Sequence, residues 1–155
     1  MLLAGCAPRN AASSAAESTE SNKAPLITLE RTACFGICPV YRLSVTAEGV
    51  VSYEGKAHVR QMGEASGRIS PDRVKTLLSE IDQAGYFSFA SRYTATEPAC
   101  GRYSTDSPSA VTSVQLQGRT KRIEHDHGCG AAPGALGLLE RRIDEVLGSE
   151  QWTGH

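Results

Sequence analysis

Apolar and polar residues alternate along most of this chain in a way that predicts short strands and two helices. Leu26 to Arg31 alternates weakly and is read as a first strand. Tyr41, Leu43 and Val45 then point one way while Arg42, Ser44 and Thr46 point the other, as in a half-buried second strand. Glu48-Gly49 makes a hairpin turn into Val50-Val51-Ser52-Tyr53-Glu54. His58 to Met62, and then Ser66 to Ile69, are expected to continue the meander. Ser70-Pro71 marks a helix start, since Ser70 can cap and Pro71 suits the first helical position. Val74, Leu77, Leu78 and Ile81 follow at helical spacing, and Gly85 ends the run.

Tyr86-Phe87-Ser88-Phe89 is an apolar anchor behind that helix. From about Ala90 to Pro108 the chain turns polar, with Pro98 and Gly101, and predicts a long loop pinned through Cys100. Ala110 to Gln117 and Arg119 to His125 form a second hairpin about Gly118. Pro133 opens a last helix with Leu136, Leu139, Ile143 and Val146 on one face; Gly148 closes it, and Trp152 is expected to fold back onto the domain. Hairpins dominate and no strand–helix–strand crossover is required. The order strands, helix, strands, helix therefore predicts an α+β fold, an antiparallel sheet with both helices packed on one face.

Composition narrows the classes. The 155 residues suit one domain, and 40% hydrophobic with 21% charged residues is a globular balance. Sixteen basic and 17 acidic residues leave a net charge of -1, with no Lys/Arg block that would hold a nucleic acid. No run of about 18 apolar residues is present, so no helix is expected to span a bilayer.

The chain begins Met1-Leu2-Leu3-Ala4-Gly5-Cys6, and Ala7 to Lys23 is small, polar and free of aromatics. Such a segment is a flexible tether. Leu-Leu-Ala-Gly-Cys resembles the lipobox of bacterial lipoproteins. That resemblance implies a diacylglycerol on the Cys6 thiol, palmitate-type acylation in support, and a bilayer partner through the acylated Cys6. It places the protein in the bacterial cell envelope, facing the periplasm or exterior. The expected organisation is a signal remnant over 1–6, a tether over 7–25 and a single domain over 26–155. A signal peptide needs a basic segment and roughly 7–15 apolar residues. Only two leucines precede the small residues here, so this reading expects the start of translation upstream. The alternative is a cytosolic protein with a chance cysteine near its start.

Setting Cys6 aside leaves Cys34, Cys38, Cys100 and Cys129, an even number that favours two disulfides in an oxidising compartment. Three pairings are open. Cys34–Cys38 with Cys100–Cys129 is preferred, because Gly36 permits the tight turn that the first pair needs. Cys34-Phe35-Gly36-Ile37-Cys38-Pro39 also resembles the copper motif of thioredoxin-like metallochaperones of the Sco type. There the motif opens a helix, whereas Val40 to Thr46 reads as a strand.

The same cysteine motif with Val40-Tyr41, then Gly49, Val51 and Tyr53-Glu54-Gly55, is similar to a bacterial family, domain of unknown function 6438. Gly128-Cys129 before the last helix and Trp152-Thr153-Gly154 at the end extend the resemblance over Leu26 to Gly154. It implies exported or lipid-anchored proteins with no established activity.

Candidate chemistry centres on Glu124-His125-Asp126-His127-Gly128-Cys129. If the strand continues, His125, His127 and Cys129 share one face, and two imidazoles with a thiolate are ligands for zinc or copper. That set needs a reduced Cys129, in competition with the disulfide, so no metal or other cofactor is assigned. Gly-x-Ser-x-Gly, His-Glu-x-x-His and phosphate-cradling glycine motifs are lacking. Asp106 and Asp126 have no fixed geometry toward a histidine, and the balance leans against an enzyme. Tyr41 and Tyr53 are read as core residues, and Tyr93 and Tyr103 as exposed loop aromatics that could meet a partner. The leading expectation is a non-catalytic envelope domain that binds a protein or cell-wall partner. Metal binding through His125 and His127, and thiol redox chemistry through Cys34 and Cys38, are the alternatives.

Overall fold

A computed structural model describes residues 23–154. Cys6, the motif around it and nearly all of the tether lie outside the described residues. Strands β1 (Pro25–Arg31), β2 (Val40–Thr46), β3 (Val50–Ala57) and β4 (Gly63–Arg68) come first, then helix α1 (Pro71–Gln83). After it come β5 (Arg92–Tyr93), β6 (Ser109–Leu116), β7 (Arg119–Asp126), α2 (Gly134–Leu147) and the short α3 (Glu150–Thr153). The seven strands form one sheet in the order β4-β3-β2-β1-β6-β7-β5. All neighbours are antiparallel except β5 beside β7. The protein is thus an α+β domain on a mostly antiparallel sheet.

Side-chain alternation sets the register. Ile27 pairs with Val45 and Val114, and Leu29 with Leu43 and Thr112, which in turn lies beside Ile123. These residues are buried, and each large aliphatic among them contributes about 1.5–3 kcal/mol of transfer free energy. The next rung toward the end of β1 changes character. There Tyr41, Arg31, Ala110, His125 and Tyr93 stand side by side on the same face. An apolar sheet centre therefore ends in a polar rung.

The helices supply the rest of the core. Ser70 caps α1 by accepting from the Arg73 N–H at 3.3 Å, and Val74, Leu77, Leu78 and Ile81 are buried. On α2, Leu136, Leu139, Ile143, Val146 and Leu147 enter the same core. Arg142 of α2 donates to both carboxylate oxygens of Glu80 on α1, at 2.8 and 3.2 Å. Trp152 of α3 is buried against Tyr53, its ring 4.9 Å away, and its carbonyl accepts from the Gln61 N–H at 2.8 Å. The chain after α2 therefore folds back onto the β3–β4 turn.

Two local expectations differ. His58 to Met62 is a turn rather than a strand: β3 runs on to Ala57, and His58 takes a φ of 53°, which no strand accommodates. The polar stretch after α1 is not featureless either. It holds β5, a single 3-10 turn at Pro98–Cys100 and an isolated bridge between Tyr103 and Cys129.

Candidate functional site

Helix α2 lies over the polar rung and lowers two acids into it. Glu140 and Asp144 are one turn apart and share a helix face. Asp144 Oδ2 accepts from Arg31 Nε and Nη2 at 3.1 and 2.7 Å, while the Tyr41 hydroxyl donates to Asp144 Oδ1 at 2.7 Å. Glu140, only 1% exposed, uses both oxygens: His125 Nδ1 lies 2.6 Å from Oε1 and His127 Nε2 lies 2.8 Å from Oε2. Arg31 Nη1 stands 3.7 Å from Glu140 Oε2. Ala110 lies between Arg31 and His125 in the rung.

Burial pushes the Glu140 carboxyl pKa upward. Hydrogen bonds and charge from His125 and His127 outweigh that, so the net shift is downward and the carboxylate form is favoured. Burial lowers the Arg31 pKa, and Asp144 more than reverses it. For Tyr41, burial and then the Asp144 charge both raise the phenol pKa. The groups form two facing sets, Arg31 and Tyr41 with Asp144, and the two imidazoles with Glu140.

Sequence periodicity places His125 and His127 on one side, and the structure brings them together. Their ring centroids are 4.6 Å apart, and the edge of Tyr93 packs on His125. The expected third member, Cys129, is not with them. Strand β7 ends at Asp126, and the turn that follows directs Cys129 into a disulfide with Cys100, Cα atoms 4.5 Å apart. Alternation stops where the strand stops, and Glu140 stands in the place assigned to the thiolate. Asp126 is occupied in that turn, accepting from the Gly128 N–H at 2.8 Å and the Tyr103 hydroxyl at 3.1 Å.

Glu140 itself was detectable. It falls between Leu136 and Ile143 at the spacing of the buried positions, so the helical period demanded burial of a charge. Arg31 and Tyr41 are marked as well, by the apolar parity of Ile27 and Leu29 on β1 and of Leu43 and Val45 on β2, but nothing in the sequence marks their meeting with Asp144.

The second feature lies at the same end of the sheet, where β1 leaves for β2. Cys34 and Cys38 are disulfide-bonded, with Cα atoms 5.7 Å apart, and close a five-residue loop. Gly36 has a φ of 154°, a backbone region open to glycine. The Phe35 N–H donates to Asp106 O at 3.1 Å, which ties the loop to the segment before β6. Phe35 and Ile37 stand outward, 89% and 82% exposed. Strand β2 starts directly after Pro39 at Val40, in place of the helix that the thioredoxin-like arrangement requires. Of the two loop aromatics, Tyr103 is partly exposed. Tyr93 is buried, contrary to expectation, because β5 pairs with β7 and turns its ring toward His125.

A mostly antiparallel α+β domain with two disulfides, a partly buried His–Glu–His cluster and an apolar loop tip defines the class. The family model described as Domain of unknown function (DUF6438) matches residues 25–147, and the chain belongs to that family. The match ends before Trp152, although Trp152 is part of the folded core. No curated protein sequence matches the chain.

Proposed function

We propose that this is a non-catalytic, lipid-anchored envelope protein. In this reading its disulfide-closed Cys34–Cys38 loop docks into an apolar pocket of a protein partner. One observation carries the reading: two large apolar side chains held almost fully in solvent on a covalently closed loop. An exposed Phe or Ile alone is ordinary, but a pair on a covalently closed loop has lost backbone freedom before binding. Aromatic anchors of this kind carry much of the energy of interfaces.

The position of the loop, at the end of the domain away from the tether, supports a protein partner over the anchoring bilayer. The tether joins the domain at Pro25, at the start of β1, and the loop follows Arg31 at its other end. Seven residues of strand separate the two ends by roughly 20 Å. A lipid on Cys6 then attaches the domain by the end opposite the loop. Both long helices on one face of the sheet, with the other face bare, complete the proposed architecture.

The test uses the full chain in its own envelope, extracted in mild detergent and compared with Phe35→Ser/Ile37→Ser. Expected is a complex larger than the single chain for the wild type and loss of that complex in the variant. The variant should keep its unfolding midpoint, since neither side chain packs inward. Equal sizes for both would reject docking through the loop. The unlipidated Cys6→Ser chain should leave the detergent phase and should not bind anionic vesicles. Vesicle binding that depends on Phe35 and Ile37 would make lipid the occupant and overturn the protein reading.

A further inference from the structure

Independently of the docking loop, we infer that His125, His127 and Glu140 form a binding site for a divalent transition-metal ion, with zinc as the best match. Each residue offers one ligand atom, and these atoms lie within 4.8 Å of one another. Two imidazole nitrogens and a carboxylate oxygen are a recognised zinc set that leaves a fourth position for solvent or an exogenous ligand. Nitrogen and oxygen donors without thiolate suit Zn(II) or Cu(II) better than Cu(I), and Cys129 is held in its disulfide.

Three features distinguish the cluster from an ordinary surface pairing. Glu140 is buried on a core position of α2, where a carboxylate is costly unless closely compensated. Both ring nitrogens that face it are at hydrogen-bond distance, so a proton occupies each gap in the metal-free state. A tetrahedral zinc ion would replace those protons with its ligand atoms roughly 3.3 Å apart, so the nitrogen–oxygen gaps of 2.6 and 2.8 Å would open while the wider separations, up to 4.8 Å, would draw in. Access comes from the His127 side, where the side chain is 32% exposed, while His125 is almost enclosed.

The surroundings fit a metal site. Arg31 stands near Glu140, but its two hydrogen bonds to Asp144 already balance its charge. Tyr41 holds Asp144 from the other side. Such outer groups orient ligands, and disturbing them commonly costs tenfold to a hundredfold in affinity.

The experiment is a titration of the full, oxidised chain with Zn(II) after chelator treatment, read against a chromophoric chelator. Unfolding midpoints are recorded alongside. The decisive variant is His127→Gln, whose amide N–H can still donate to Glu140 but which is a poor zinc ligand. Expected is one equivalent bound by the wild type and an affinity loss of at least about tenfold in His127→Gln, by comparison with outer-shell changes. With free zinc at a hundredfold excess over Kd, the wild-type midpoint should rise by roughly 5–10 °C and the variant's much less. The metal-free midpoints should be similar, which separates loss of a ligand from loss of the fold. His58→Ala, the control for surface histidine binding, should change nothing. Equal affinities for the wild type and His127→Gln, binding that depends on His58, or no binding at all would each overturn the assignment.

Discussion

Glu140 occupies a place in α2 that the helical period reserves for an apolar side chain, and its partners determine whether the fold tolerates it. An ionised carboxylate without partners in this position would cost several kcal/mol. Here His125, His127 and Arg31 surround it, and the net pKa shift is downward despite burial. Glu140→Gln keeps the shape but replaces one acceptor oxygen with a donor NH2 that faces an imidazole. The metal-free protein should lose about 1–3 kcal/mol of unfolding free energy in urea. An unchanged midpoint would mean that the carboxylate is not holding the histidines. The histidines were legible from strand alternation, and the acid was legible in principle from its helical phase. Alternation also sets Arg31 on the face of Ile27 and Leu29, but its pairing with Asp144 was not legible, because that salt bridge spans 113 positions.

Among the elements, those with a strong period emerged where expected: α1 with its Ser70 cap, the β6–β7 hairpin and the apolar face of α2. The turn at Gln117 and Gly118, with φ values of 51° and 75°, is the left-handed pair that suits the twist of a two-residue hairpin. Elements that depend on partners were hidden. Strand β5 is two residues long and exists only because β7 offers its edge, so no alternation could disclose it. Its formation also turned Tyr93 from an expected surface aromatic into a buried neighbour of His125. The disulfides act on these irregular segments. Cys100–Cys129 closes a separation of 29 residues and should contribute about 3–4 kcal/mol; the short Cys34–Cys38 loop should contribute about 2 by the same loop-entropy reasoning. Paired Cys→Ala variants compared by urea unfolding should therefore rank Cys100/Cys129 as the more damaging loss. The reverse order would show that the small loop supports the sheet rather than only shaping its own tip.

For the whole molecule, the chemistry gathers at one end. The polar rung, the His–Glu–His cluster, the Tyr103–Asp126 contact and the Cys34–Cys38 loop all lie where β1 ends and β6 begins. The start of β1 is at the opposite end. Domain class and the presence of two disulfides were within reach of the sequence because they rest on periodicity and cysteine count, whereas the pairing was a preference among three that the structure decides. Clustering at one end was not, since it follows from the central position of β1 between β2 and β6. The central claim is that the exposed loop tip meets a protein partner. The most direct measurement places a photo-crosslinking residue at Phe35, or as a comparison at the exposed Leu138 on α2, in the full chain within intact cells. Expected is a discrete protein adduct from position 35 that disappears when Ile37 is changed to Ser, and none of that size from position 138. The same adducts from both positions, or lipid adducts from position 35, would contradict it.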